Sequence, residues 1–344
     1  MPSDEVIGAF KTHANYLRAF AHLSYSGFES RHHAYSAIVD RVLNSGILPS
    51  SRATDVDRRQ VRASLENAWS TELLLTLGEH IFRDEEVIRL SNNWNVVQAY
   101  YVVYHSTQAV AVAKIHQRPT THWKTQQFYH ELFPRSRVCL PPWTLTFGYT
   151  GPLNIAENVT IEDQLHSWTT CTETISWSLA CKALRTTREE AMPERIRKRR
   201  ENKRAAQRRA WQEEEDERLR IGRRPRQVPR FRRPQLTIAE KEDVRRRLRP
   251  FGLIDYLYRL RLRSNYEDSA MFIDGPEDEG PSEQVRSDLC LLAGSTSLLC
   301  ELCIMRLLGR ALFVDWASHW LDRNTAPGLT SGLAERYELL EMIN

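Results

Sequence analysis

Apolar residues recur at helical spacing along most of the chain, and this pattern predicts helices separated by polar, glycine or proline breaks. It predicts two amphipathic helices, over residues 6–23 and 34–43, and then one long helix or two shorter ones over 55–90. The Asn92–Asn93 pair is a favourable cap for the next segment, 94–115, which is apolar on almost every face. A helix of that kind is normally buried, so we expect it at the centre of the domain.

The second half of the chain alternates between helical and irregular patterns. Proline, glycine and β-forming residues over 137–159 predict an ordered loop, with or without a short hairpin, and 161–184 returns to helix. Residues 195–219 are charged on every side, which is typical of a solvated helix held by its own ion pairs. Prolines indicate a flexible linker over 222–234, and 284–322 predicts a long apolar helix or a helix pair.

These elements predict an all-α protein, built as an antiparallel helical bundle with an exposed basic helical and linker insertion. Five parts are predicted: an N-terminal helical segment (1–59), the first part of the bundle (60–185), a basic, partly flexible insertion (186–247), the second part of the bundle (248–325) and a C-terminal tail (326–344).

Charge is distributed unevenly along the chain. The formal net charge is +4, but residues 185–249 hold 24 Lys and Arg against 12 Asp and Glu, which is +12, so the remainder is 4 − 12 = −8. Such a basic segment suits nucleic-acid phosphates. The alternatives are a solvated surface without a partner and a surface that docks an acidic protein. The candidate nucleic-acid contacts are Arg195, Arg197, Lys198, Arg199, Arg200, Lys203, Arg204, Arg208 and Arg209.

Several signals bear on compartment and cofactors. The N-terminus shows no secretory signal, and the most apolar run, 289–316, contains charges that a membrane span tolerates poorly. Cys300 and Cys303 form a lone CxxC, which favours packed thiols over metal ligands or a redox pair. No phosphate-binding glycine loop or metalloprotease motif occurs. We therefore expect a cytoplasmic protein with no metal, no cofactor and no membrane partner.

Polar chemistry concentrates in residues 260–272, where an apolar helix ends. Arg259 and Arg263 are four residues apart and so share a helix face, and Asn265 and Tyr266 follow directly. Such a cluster can hold a phosphate, or it can cap a helix. A second candidate, His105, lies within the apolar helix, where a histidine is more often a core group than a catalytic one.

Two short segments carry a family resemblance. The run Tyr100–His105 (YYVVYH) resembles the second long helix of the HEPN superfamily, the higher eukaryotes and prokaryotes nucleotide-binding domain. Arg261–Asp268 (RLRSNYED) resembles the arginine-centred motif at the end of the third helix in that family. The resemblance implies a four-helix, often dimeric core and RNA cleavage or nucleic-acid association in prokaryotic conflict systems. The implied chemistry is metal-independent: a base takes the 2′-hydroxyl proton and an arginine stabilises the phosphate charge.

The resemblance also suggests site residues. Arg263 carries over to the motif arginine and Asn265 to the nearby polar position. Active members have a histidine four to six residues after the arginine, and residues 267–270 supply none. His105 and Tyr266 are the candidates to replace it, so the catalytic candidates are Arg263, Asn265, His105 and Tyr266.

We therefore predict a protein that engages nucleic acid, RNA rather than DNA, in a bacterial defence or toxin–antitoxin setting, with ribonuclease activity as the enzymatic hypothesis. A homodimer and an operon-encoded protein partner are expected. The alternative is a non-catalytic scaffold whose basic insertion docks an acidic partner or binds DNA non-specifically. Paired burial of Arg263 with Asp268 favours the scaffold, and an open site with a histidine near Arg263 favours the enzyme.

Overall fold

The computed structural model describes residues 3–25, 30–81, 84–136, 138–148, 172–232, 234–267, 269–276, 279–324 and 331–343. Over these ranges the chain forms twelve α-helices and a single isolated β bridge, between Phe147 and Phe251, which confirms the all-α prediction. The helices are α1 (Asp4–Ser24), α2 (Arg31–Ser45), α3 (Arg58–Ile81), α4 (Glu85–Ile115), α5 (His122–Leu132), α6 (Glu173–Arg220), α7 (Ile238–Arg247), α8 (Leu253–Leu262), α9 (Ser269–Asp274), α10 (Glu279–Leu308), α11 (Arg310–Asn324) and α12 (Gly332–Met342).

Helix α4 forms the centre of the bundle, because α3 and α10 pack along it and α5, α8 and α9 contact it as well. Only residues 82–84 separate α3 from α4 in the sequence, so these two long helices form an antiparallel pair. Tyr100 and Val103 of α4 are fully buried, as is Leu299 of α10. This central position agrees with the apolar pattern on all faces of the segment.

The start of α4 differs from the prediction. The helix begins at Glu85 rather than after the asparagine pair, and the side chain of Asp84 caps it by accepting from the backbone N–H of Val87 at 3.1 Å. Asn92, the predicted cap, is fully buried inside the helix. Asp84 already accepts from a free backbone N–H directly after α3, so the helix begins there and continues through the asparagine pair.

Helix α6 runs without interruption through residue 185, where we predicted the boundary between bundle and insertion. Its first part packs against α1 and α8, and Ala180 and Leu184 are completely buried. Beyond Pro193 most of its side chains are exposed, as the charge pattern predicts for a solvated helix. The basic segment is thus a direct extension of a bundle helix. Residues 149–171, which include parts of the predicted loop and of the predicted 161–184 helix, lie outside the described ranges.

After α6 the chain returns along the same helix, and together they form what we call the basic hairpin, residues 193–249. Glu215 accepts hydrogen bonds from the backbone nitrogen and Nε of Arg226, both at 2.6 Å. On α7, Glu240 pairs with Lys203 of α6 at 2.6 Å. The segment that returns along α6 includes the predicted flexible linker, 222–234. It therefore makes specific contacts with α6.

A buried ion cluster fastens α12 to the bundle. Arg336 is fully buried and donates to Glu72 of α3 at 2.5 Å and to Glu301 of α10 at 2.9 Å. Trp69 donates from its indole nitrogen to Glu301 at 2.9 Å. A side chain at Gly332 would place its Cβ 2.3 Å from a Glu72 oxygen, so the cluster leaves no room there. The described part of the predicted C-terminal tail is therefore a core helix.

Helix α10 contains the longest apolar stretch of the chain. Residues Gly280–Leu308 are long and apolar enough to cross a membrane, but 83% of the most apolar window is buried in the bundle. Cys300 and Cys303 are both completely buried there, and burial raises the pKa of Cys303 to about 12. This is the environment of a core helix in a soluble protein.

Candidate nucleic-acid interface

A carboxylate from α6 holds the arginine cluster at the end of α8. Arg259 donates from Nε to one oxygen of Glu190 at 2.8 Å, and Arg263, in a π-helical turn, donates to the other oxygen. The three side chains are only 21–26% exposed. Burial and the charges of Arg263 and Arg259 lower the pKa of His13 to about 3. Arg263 thus has a carboxylate partner within the fold, as a partly buried arginine requires.

The four catalytic candidates differ in their contacts and in their exposure. Asn265 is partly buried, and Tyr266 is 75% exposed. Among the described residues, no hydrogen bond or ion pair joins Arg263 to any of the other three candidates. Asp268, the predicted carboxylate partner, lies outside the described residues, and Glu190 is the described carboxylate that pairs with Arg263.

Arg261 has a different environment from Arg263, although only one residue separates them. Its guanidinium lies over three tyrosine rings, 5.5 Å from the ring centres of Tyr100 and Tyr101 and 5.4 Å from that of Tyr258. Arg261 is 6% exposed, and its Nε and Nη1 make no hydrogen bond within the described chain. Cation–π attraction offsets part of the cost of burial, and both nitrogens are shielded from solvent in this conformation.

His122, the first residue of α5, completes one side of this arrangement. Its Nδ1 lies 2.7 Å from the hydroxyl oxygen of Tyr100, and its ring packs against those of Tyr104 and Tyr258. Burial and the charge of Arg261 lower the pKa of His122, which keeps the imidazole neutral near pH 7. When Nδ1–H donates to Tyr100, Nε2 is free to accept a proton.

His105 also belongs to this region and not to the surroundings of Arg263. Its ring stacks on Tyr101 with the ring centres 5.8 Å apart, and it meets the edge of Tyr104. Burial, followed by the charge of Arg118, lowers its pKa to about 4. We call this group the tyrosine cluster, and its members are Tyr100, Tyr101, Tyr104, Tyr258, Arg261, His105 and His122.

An open cleft adjoins the tyrosine cluster at Tyr104. Its volume is about 610 Å³, and Tyr104, Gln108 and Arg118 line one part of it. Gln108 donates to the Tyr104 hydroxyl at 2.9 Å and accepts from Nε of Arg118 at 3.1 Å. This volume lies within the range of ligand-binding clefts, and the fixed polar groups place a cation beside partly exposed aromatic rings.

The predicted nucleic-acid contacts on the hairpin fall into two groups. Some are already engaged within the fold: Lys203 pairs with Glu240, and Arg195 packs on the ring of Trp123, with 4.0 Å between the guanidinium carbon and the ring centre. Arg208 lies 5.8 Å from the centre of the Phe231 ring. These contacts position the side chains without neutralising the two arginines.

The other predicted contacts are largely available to a ligand. Lys198, Arg199 and Arg209 are exposed and have no ion pair among the described residues. Arg197 faces Glu201 at 3.9 Å, but both side chains are more than 60% exposed, so that pair is weak. Arg200 and Arg204 are half-buried, and their Nε atoms lack hydrogen-bond partners in the described chain.

Sequence reasoning missed the central members of the tyrosine cluster. Arg261 lies inside the motif that carries the resemblance, but the resemblance points to Arg263, and His122 is not among the candidates that the sequence suggests. The sequence did contain one signal. Tyr258 and Arg261 are three residues apart and so lie on one face of a helix, whereas Arg259 and Arg263 lie on another face. The contribution of α5 had no such signal.

Two further findings limit the interpretation of this site. Within the described ranges, no group of three or more His, Cys, Asp or Glu side chains is arranged to hold a metal ion. No protein-family model, curated protein or solved structure matches the chain. The geometry of the site is therefore the basis for the functional proposal.

Proposed function

We propose that this protein binds single-stranded RNA along the basic hairpin and across the tyrosine cluster. The observation that carries the proposal is the junction of the two surfaces at the start of α5. His122 belongs to the tyrosine cluster, and the next residue, Trp123, lies under Arg195 of the hairpin. Cations and partly exposed aromatic rings thus follow one another, which is the combination that proteins use to bind single strands.

The charge distribution supports the same proposal. The hairpin region carries +12 against −8 for the rest of the chain, so an anionic polymer is attracted to the hairpin and repelled elsewhere. Tyrosine and histidine side chains can also bond a 2′-hydroxyl, which favours RNA over DNA. The bacterial defence or toxin–antitoxin setting and the cytoplasmic location remain predictions from the sequence.

A salt-titrated binding measurement tests this function. Fluorescence anisotropy of a labelled RNA of about 20 nucleotides should show a binding constant that falls steeply between about 50 and 200 mM salt. Replacing Lys198, Arg199, Arg208 and Arg209 by glutamine should flatten the log–log slope by about 3, because each lost phosphate contact contributes about 0.7. A wild-type protein that does not bind, or an unchanged slope in the variant, would contradict the proposal.

A second candidate function is metal-independent RNA cleavage. It is favoured by two residues of the tyrosine cluster: Arg261, which has two nitrogens without a hydrogen-bond partner in the described chain, and His122, whose imidazole is neutral. Nε2 of His122 would take the proton of a 2′-hydroxyl, and the resulting oxygen would attack the adjacent phosphorus. The bond from phosphorus to the 5′ oxygen then breaks, and that oxygen takes up a proton. Arg261 would stabilise the extra negative charge on the phosphate oxygens, and the buried site would strengthen this interaction.

Cleavage of labelled RNA in the presence of a chelator separates these alternatives. We expect cleavage to be lost in Arg261→Met and His122→Asn and retained in Arg263→Ala. Loss in Arg263→Ala alone would restore the site predicted from the resemblance. A wild-type protein that binds RNA and leaves it intact would remove the nuclease candidate and leave the binding function in place.

A further inference from the structure

A groove lies on the basic hairpin where the start of α5 meets α6 and α7. The side chains that line it include Trp123, Arg195, Lys198, Arg199, Asn202 and Arg247. Its volume is about 230 Å³. We call it the hairpin groove.

The hairpin groove has an excess of positive charge that the fold does not neutralise. Arg247 is compensated, because its Nε donates to Asp243 at 2.7 Å and that carboxylate also lines the groove. Arg195, Lys198 and Arg199 have no carboxylate partner among the described residues. Three uncompensated cations in one groove point to an anionic ligand.

The wall of the groove that Trp123 and Arg195 form is held in place by contacts within the fold. Arg195 packs on the Trp123 ring, which is itself only 37% exposed and lies 4.6 Å from the guanidinium carbon of Arg249. Arg249 is fixed in turn, since it donates to both oxygens of Asp255 and approaches Gln126 at 3.4 Å. A side chain that is already held in place loses little conformational entropy on binding, so Arg195 is better prepared to bind than the exposed arginines further along the hairpin.

The size of the groove distinguishes between kinds of anion. Sites that enclose a whole small molecule usually measure about 300–1,000 Å³, which is more than this groove offers. A phosphodiester with its sugar needs less space, provided that the strand can leave the groove at both ends. Trp123 directly follows His122 of the tyrosine cluster. An RNA strand bound in the groove would therefore continue toward that cluster.

We infer that the hairpin groove is the anchoring site for one phosphodiester of a single-stranded RNA. Arg195, Lys198 and Arg199 donate to the phosphate oxygens, and the Asn202 amide bonds a neighbouring sugar or base. This inference rests on the proposed RNA-binding function and is independent of whether the RNA is cleaved. It places the binding energy in one part of the hairpin instead of distributing it over all exposed cations.

Two double variants with the same change in charge test the inference. Lys198→Gln with Arg199→Gln alters the groove, whereas Arg223→Gln with Arg230→Gln removes two exposed cations outside it. Affinity for the labelled RNA of about 20 nucleotides is measured at about 150 mM salt by anisotropy. We expect the groove pair to weaken binding at least about tenfold more than the control pair. All four side chains are exposed, so circular dichroism and melting curves should match the wild type.

Trp123→Ala provides a second measurement that does not change the charge. It should weaken binding several-fold by releasing Arg195, while the slope of log affinity against log salt changes far less than in the groove pair. Equal losses in the groove and control pairs would overturn the anchoring site and leave the RNA-binding function standing. A wild-type protein that does not bind RNA at any salt concentration would overturn both.

Discussion

Arg336 and Arg261 are both buried, yet the regions around them satisfy the two guanidinium groups in opposite ways. Arg336 donates to two carboxylates, Glu72 and Glu301. Arg261 faces tyrosine rings and leaves two nitrogens without a hydrogen-bond partner in the described chain. A buried charge with full pairing has its donors used within the fold, whereas the one held by rings keeps two buried donors without a hydrogen-bond partner in the described chain. The comparison separates an arginine of the core from an arginine of the candidate site.

The largest expected effect comes from breaking the paired arginine. Arg336→Ala leaves two buried carboxylates facing each other, so the free energy of unfolding should fall by about 3–5 kcal/mol in urea titrations. Arg323→Ala is the matched control, because Arg323 is 55% exposed and its pair with Glu66 spans 3.5 Å. That control should lose less than about 1 kcal/mol. Similar losses in the two variants would mean that the ion cluster does not stabilise the core.

A buried carboxyl without a cation partner extends the comparison to pH. Asp288 accepts from Gln284 at 3.0 Å through one oxygen, the other has no partner within the described ranges, and burial raises its pKa to about 7. The folded protein thus binds this proton more tightly than the unfolded chain. The resulting stability is complete below about pH 4 and is lost as the pH rises toward about 7.

Asp288→Asn should therefore raise the free energy of unfolding near pH 8 by roughly 4 kcal/mol and change it little near pH 4. Melting temperatures measured across this pH range would show the effect. The exposed Asp322→Asn should give a curve parallel to that of the wild type. A pH-independent gain at position 288 would mean that the carboxyl does not titrate in this range.

A smaller effect is expected at the arginine that shares its carboxylate. In Arg263→Ala, Arg259 still neutralises Glu190, so the free energy of unfolding should fall by only about 1 kcal/mol. Glu190→Ala should cost more, because it removes the carboxylate that Arg259 and Arg263 share. Chemical denaturation of both variants tests this order. The reverse order would contradict the shared carboxylate.

The smallest effect on stability is expected at Arg261. Arg261→Met loses the cation–π attraction but also removes two buried nitrogens that lack partners, so the free energy of unfolding should change by less than about 1 kcal/mol. RNA cleavage, where the wild type shows it, should nevertheless be lost. Denaturation and cleavage assays on one preparation would show this separation. A loss of several kcal/mol would place Arg261 with Arg336, as a residue of the core.

Local pattern predicted much of the fold. The periodicity indicated the helices, the apolar segment around Val103 indicated the central helix, and the charge pattern indicated the solvated half of α6. The start of α4 was wrong because two asparagines imitate a cap that Asp84 provides. Such errors arise where several nearby residues are able to cap a helix and only packing selects among them.

The candidate site was less predictable, because its members come from distant parts of the chain. Glu190 lies 73 residues from Arg263, and His122 lies 22 residues from Tyr100, so no local spacing indicates either contact. The motif at the end of α8 correctly drew attention to its arginines. Which of these arginines meets a carboxylate depends on the helix that packs beside each one.

The sequence by itself determined the helical class and the separation of a basic segment from an acidic body, because periodicity and composition are properties of neighbouring residues. Only the tertiary structure decided that Arg263 meets a carboxylate, that Arg261 meets tyrosine rings and that Arg336 belongs to the core. The physical reason is that the cost of burying a charge depends on the groups that surround it in space. Those groups come from different helices and meet only when the bundle is packed.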